Sequence, residues 1–273
     1  MAMESILENL KKVSDPDQAT AFRAVQALRF ESYRLLDPMK QDERAAFARA
    51  LAAELNATIT APPSEEEKKK KKNKDKSLKP EVKPKYDSRT RNVILQCLAL
   101  VGGEAEVADI AKTLGDLDLR EAARCALDGN PSSAATTALV AALDGCGPEF
   151  RIGAIGSLGR KGGPVAQEAL RHMTEDPDPE IRLAAIEALS RFPDPANDTL
   201  MAQAGRVGSE RARDRVAKAR LRLAENLRDC GDKAAARRVY ESIPRDAAAQ
   251  RAAADAALKS MQQEGESGGL RKK

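Results

Sequence analysis

Apolar residues in this chain return every three or four positions in short runs. Pro, Gly and Asp close each run, which is the pattern of many brief amphipathic helices. Residues 1–59 predict two or three of them. Asp15 and Pro16 form an N-cap and first-turn pair, Phe22, Val25 and Leu28 then share one face, and Asp37-Pro38 ends the run. A further helix is expected from about Gln41 to Leu55, with Phe47, Leu51 and Leu55 at i, i+4 spacing, so that this segment forms a small hairpin or bundle. The pattern then stops. Residues 60–87 hold four prolines and a lysine run with almost nothing to bury, and predict a disordered linker that cannot offset its ordering entropy.

After residue 87 the pattern repeats. Helical stretches begin at Arg91, Arg120, Arg151, Arg182 and Arg215, spaced 29, 31, 31 and 33 residues apart. Small or apolar residues fall two positions after each Arg, Ala or Ile three after the first four, and Leu seven after those same four (Leu98, Leu127, Leu158, Leu189). The fifth copy departs, with Lys218 at +3 and Arg222 at +7, and is either shifted or terminal. A second helical stretch precedes each later copy, at Glu104, Ser132, Pro164 and Ala196, and turns such as Gly147-Pro148-Glu149 and Asp178-Pro179-Glu180 introduce the Arg helices. Each unit of about thirty residues is a helix–turn–helix that buries both faces only against its neighbours.

The Asp-Pro turn, the Arg and the A-A-x-x-x-L helix, clearest in Asp178-PEIRLAAIEALSRF, resemble HEAT repeats, in particular the short HEAT-like repeats of phycobilisome lyases. The resemblance covers roughly residues 87–222. It implies an all-α, right-handed α-solenoid of stacked helix pairs, with repeats over 88–222 and the small N-terminal unit carried on the flexible linker. It also implies that the arginines form a structural ladder with turn acids, for which Asp118, Glu149 and Asp178 are available, and that the Arg-bearing second helices line one face. Leu223, Ala224, Leu227, Gly231, Ala236 and Tyr240 resemble a single tetratricopeptide hairpin, read as a helical cap over 223–262. A last helix over about Asp246–Met261 precedes a polar tail, 263–273, expected to be disordered.

Composition narrows the function classes. The chain is 42% hydrophobic but only 3% aromatic, without Trp, so thin Ala/Leu-packed helices are favoured over pockets walled by large rings. Net charge is +4, yet Glu65–Lys85 alone carries ten Lys against five acids. The remainder holds 36 basic and 37 acidic residues, and a near-neutral fold argues against a groove that tracks phosphates. Cys97, Cys125, Cys146 and Cys230 lie far apart and His172 is the single histidine, so no metal cluster, catalytic group or cofactor is expected, and the thiols read as small buried residues of a reducing, cytoplasmic compartment. No apolar run approaches the ~18 residues of a membrane span. The turn Gly159-Arg160-Lys161-Gly162-Gly163-Pro164 reads as one helix ending and the next beginning.

What remains is a non-catalytic scaffold or adaptor that binds another protein. A nucleic-acid-binding role assisted by the linker lysines Lys68, Lys69, Lys70, Lys71 and Lys72, at most weak and nonspecific, is the second reading, and a lyase-type cofactor chaperone the third. With +2, +3 and +7 committed to packing, +1 and +5 look outward: Asn92, Gln96, Glu121, Cys125, Ile152, Gly156, Leu183 and Glu187. Ile152 and Leu183 are either a stacked apolar anchor for a partner or, if the helix phase is off by one residue, both core.

Overall fold

The computed structural model describes residues 3–61, 81–206 and 208–270. The contacts divide the chain into two compact units, Met1–Ala138 and Leu139–Lys273.

In the first unit α1 (Met3–Lys12) packs on α2 (Gln18–Arg34), and α2 and α3 (Gln41–Leu55) both pack on α4 (Ser88–Val101). The short α5 (Val107–Lys112) and α6 (Arg120–Gly129) follow, with α6 against α4 and α5 against α3. Leu28, Leu51, Leu55, Ile94 and Leu98 are fully buried, so the helices before and after the lysine run share a core. Asp17, rather than the expected Asp15, caps α2 by accepting from the Thr20 N–H at 3.0 Å; Asp15 instead accepts from Asp17 N at 2.9 Å. Phe22 is 62% exposed, because Ala21, Ala24 and Leu28 turn the buried face of α2 away from it.

Two short strands stand at the ends of the segment read as a linker. Thr58–Ala61 (β1) pairs antiparallel with Glu81–Pro84 (β2), Ile59 opposite Lys83. Thr58, Ile59 and Val82 are β-formers sitting where only linker composition was legible. Such a ribbon is marginal alone; here Lys85 ties its end to α3, its N–H donating to the Ala57 carbonyl at 2.8 Å and its ammonium 2.6 Å from Glu54. Residues 62–80, with Lys68–Lys72, lie outside the described residues.

The second unit repeats the helix pair. α7 (Ser133–Ala141) crosses the division between the units. It is followed by α8 (Pro148–Lys161), α9 (Pro164–Met173), α10 (Pro179–Leu189), α11 (Ala196–Ala204) and α12 (Glu210–Asp229). α10 packs on both α8 and α12, while α9 pairs with α10 and α11 with α12. Asp178 caps α10 at the Glu180 N–H with Pro179 in the first turn, as its sequence predicts. The +3 and +7 positions of the first four copies are all fully buried, Ile94 and Leu98 through Ala185 and Leu189. In the fifth, Ala219 and Leu223 are buried while Lys218 and Arg222 are exposed, so this copy is shifted by one residue along the helix. Gly159 does not end α8. It is buried inside it, where a Cβ would lie 2.9 Å from that of Ala188 on α10, and Gly162 and Gly163 supply the positive-φ turn.

α12 runs unbroken through residues 222 and 223, where the repeats were expected to give way to a cap, and hairpins into α13 (Lys233–Glu241). Leu223, Ala224, Leu227, Ala236 and Tyr240 are its buried positions, and Gly231 takes φ +92° at the turn. α14 extends from Ala248 to Leu270, beyond the expected end near Met261, since each added residue of a nucleated helix gains a backbone hydrogen bond. Only Cys97 of the four free cysteines is buried; Cys125 stands exposed on α6 and Cys230 in the turn after α12.

Candidate interaction groove

The arginines expected to form a ladder, Arg91, Arg120, Arg151, Arg182 and Arg215, are all held by polar contacts. Two kinds of contact recur. Arg91, Arg120 and Arg182 donate to carbonyls closing the helix before them: Leu55 O at 3.1 Å, Leu114 O at 3.1 Å, and Asp176 O at 2.6 Å. Arg91 and Arg151 also reach forward to a carboxylate of the following repeat, Asp116 at 2.8 Å and Asp176. The acids therefore sit two residues earlier than the expected Asp118 and Asp178, which are occupied with a hydroxyl of Ser88 and with the α10 cap. Glu149 lies in the first turn of α8. Because Leu55 takes the place in α3 that Leu114 takes after α5, α3 is the first helix of the α4 pair. Burial would raise the Asp176 carboxyl, but the Asp178 N–H and Arg151 outweigh it and hold it below its usual range.

The exposed sides of α8, α10 and α12 leave a groove of about 430 Å³ within the second unit. Its floor is made of small residues, Gly156, Ala184, Ala188 and Ala219, and Ile152 stands at one side, 38% exposed. Five cations line it, Arg160, Arg191, Arg215, Lys218 and Arg222, against the single acid Glu187. Arg215 is neutralised in place, 2.6 Å from Glu187 and 2.9 Å from Glu180, and the Glu187 carboxylate raises the guanidinium above its ordinary pKa. Lys218 leans to Asp214 at 2.8 Å. Arg191 and Arg222 are exposed, and among the described residues neither side chain makes an ion pair or hydrogen bond.

Of the outward positions expected from the sequence, Ile152, Gly156 and Glu187 meet in this groove. Leu183 does not: it is 6% exposed, under the packing of α12 on α10. The stacked pair of aliphatic anchors is therefore corrected to one exposed Ile and one core Leu. Asn92, Gln96 and Glu121 belong to the first unit and are engaged there, Gln96 between Arg29 (2.6 Å) and Asn92 (2.7 Å), Glu121 with Arg124. The sequence reading missed the cations. Arg160 and Arg191 each stand nine residues after a ladder arginine, and Lys218 and Arg222 interrupt the core pattern, a departure read as a shifted or terminal copy and not as part of a site.

A second cavity, about 720 Å³, opens beside α12 and the start of α14. Arg220 at its wall is nearly buried but held by Asp198 at 2.7 Å and by the Ser242 hydroxyl at 2.6 Å, and Asp214, Glu210 and Asp246 balance its other cations. His172 is exposed on α9, 3.4 Å from Glu168. Among the described residues no group of His, Cys, Asp and Glu is placed to hold a metal ion, and no helix is long and apolar enough to cross a membrane.

Residues 136–219 match the family model for HEAT repeats. No curated protein sequence matches the chain. Among solved structures it is similar to the complex of CpcE and CpcF of phycocyanin lyase from Nostoc sp. PCC7120, at 17% identity over 94% of both chains with a TM-score of 0.42. It is similar also to a designed armadillo repeat protein in complex with peptide (KR)4, at 12% identity over 80% of this chain and 99% of that one, TM-score 0.41. Human deoxyhypusine hydroxylase matches at 15% identity over 96% and 97%, TM-score 0.34. At these scores none bears on what the chain binds. Residues 136–219 are therefore HEAT-like repeats, set in a chain whose described residues are built of helices apart from the short β1–β2 ribbon.

Proposed function

We propose that the protein is a non-catalytic scaffold or adaptor that binds another protein through the second helices of its repeats. The observation that carries this reading is the groove over α8, α10 and α12. Its floor is small, its edge offers an aliphatic side chain, and on its rim Arg191 and Arg222 have no counterion among the described residues, which suits a macromolecular segment better than a reaction. The ionisable groups nearest it, Arg215, Glu187 and Glu180, are spent on one another. A cytoplasmic setting accords with the free thiols.

The cations of the groove also keep a nucleic-acid reading in play, since a basic row attracts phosphates as well as carboxylates. Site-specific photocrosslinkers placed at Ile152 and, as a control, at His172 separate the readings in native lysate. The scaffold predicts a discrete protein adduct from Ile152, resistant to nuclease, and none from His172. Adducts that vanish with nuclease, or that form equally from both sites, contradict it.

A further inference from the structure

We infer that the groove takes an acidic, extended segment of a partner protein, laid across α8, α10 and α12. The inference rests on the scaffold reading and adds the chemistry of the partner.

Three independent features point the same way. The lining carries five cations. With Arg215 held by Glu187 and Glu180 and Lys218 by Asp214, it keeps a positive excess in which Arg191 and Arg222 have no counterion among the described residues, in a chain that outside Glu65–Lys85 is close to neutral. The cations are also spaced by the repeat: Arg160 and Arg191 stand 31 residues apart at the ends of α8 and α10, the second helices of successive repeats, so the fold delivers a row instead of a cluster. With neighbouring helices about 10 Å apart, α8 to α12 spans roughly 20 Å, the length of about six residues of extended chain.

Arg191 and Arg222 carry the selectivity. Each is exposed, and among the described residues each lacks a counterion, so they present guanidinium forks ready for bidentate carboxylate contacts. Glu187 does not spoil the field, because Arg215 already holds it. The floor of Gly156, Ala184, Ala188 and Ala219 lets a backbone approach closely, and Ile152 gives one aliphatic contact at the edge. No aromatic side chain lines the groove, so bases would find nothing to stack on, and this favours peptide over RNA or single-stranded DNA.

The test uses the full chain and a fluorescein-labelled eight-residue peptide of alternating Glu and Leu, with a Lys-Leu peptide and a labelled oligouridine of similar length as comparison probes. The Glu-Leu peptide is expected to bind, and the double variant Arg191→Glu, Arg222→Glu to weaken it on the order of tenfold or more. Both side chains are exposed, so circular dichroism of that variant should match the parent. Replacing Lys68, Lys69, Lys70, Lys71 and Lys72 by Gln should leave the affinity within about twofold. The inference is overturned if the peptide follows the lysine run instead of the two arginines, if the Lys-Leu peptide binds as well, or if oligouridine binds more tightly with the same arginine dependence. Ile152 crosslinks to a partner whose captured segment is neutral or basic would overturn the acidic occupant while leaving the scaffold reading intact. Absence of any protein adduct at Ile152 would remove the scaffold reading itself.

Discussion

One and five residues after the ladder arginine, α4 and α6 of the first unit carry Asn92, Gln96, Glu121 and Cys125, whereas α8 and α10 of the second carry Ile152, Gly156, Leu183 and Glu187. Behind these positions the two units are built alike, with the +3 and +7 side chains fully buried in each. In the first unit the outward residues are used internally: Arg29 from α2 bonds Gln96, and Arg124 takes Glu121. In the second, a row of cations surrounds a floor of Gly and Ala. The repeat dictates backbone spacing and core, and leaves the remaining positions free to differ, which is where binding chemistry resides.

The largest expected difference between the units lies in their ladders. Arg151 pairs with an Asp176 side chain only 5% exposed, while Asp116, the partner of Arg91, is 32% exposed. Arg151→Met strands a buried carboxylate and should cost roughly 3–5 kcal/mol in the second unit; Arg91→Met should cost about 1–2 kcal/mol in the first. Urea unfolding followed by hydrogen exchange in α8–α10 and in α4 measures both. Equal losses would show that burial of the acid does not set the strength of the ladder.

Two glycines in α8 sharpen the division between packing and surface. Gly159→Ala pushes a methyl to within 2.9 Å of the Ala188 Cβ and should destabilise by about 1–3 kcal/mol. Gly156→Ala, whose nearest contact is 3.6 Å away on Arg160, should be neutral or stabilise by up to about 1 kcal/mol through helix propensity. A lower thermal midpoint for both variants would place Gly156 in the core and close the groove floor.

Acid should find a particular weak point in the first unit. Glu31, 7% exposed at its side chain, has its pKa lowered from 4.5 to about 2, with the hydrogen bond from Arg34 the largest cause. A carboxyl depressed on folding contributes stability that is complete above its unfolded pKa and lost as pH falls toward the folded value. Between about pH 4.5 and 2 the first unit should therefore lose on the order of 2–3 kcal/mol from this group. Glu31→Gln should flatten that part of the stability–pH curve, and a curve of unchanged slope would mean the pair contributes nothing.

Much of the fold was legible because helical period, Asp-Pro caps and the Arg spacing are local signals. Ile94, Ala123, Ala154 and Ala185 are buried where the +3 rule puts them. What failed needed tertiary partners. The apolar face of α3 reads as that of a small hairpin, yet it belongs to α4, across residues whose composition looks like a boundary. Phe22 seemed a core residue because it is apolar, but α2 buries Ala21, Ala24 and Leu28 instead. The groove was half legible: Ile152 and Glu187 followed from helix phase, and the departure of Lys218 and Arg222 from the core pattern was visible, but their meeting with α8 and α10 in one groove is a tertiary fact.

The most direct measurement is amide hydrogen exchange of the full chain with and without the Glu-Leu peptide. The account predicts added protection confined to the facing helices of the second unit, α8, α10 and the first half of α12, with α4 and α6 unchanged. Protection centred on α4 and α6, or none on α10, would contradict it.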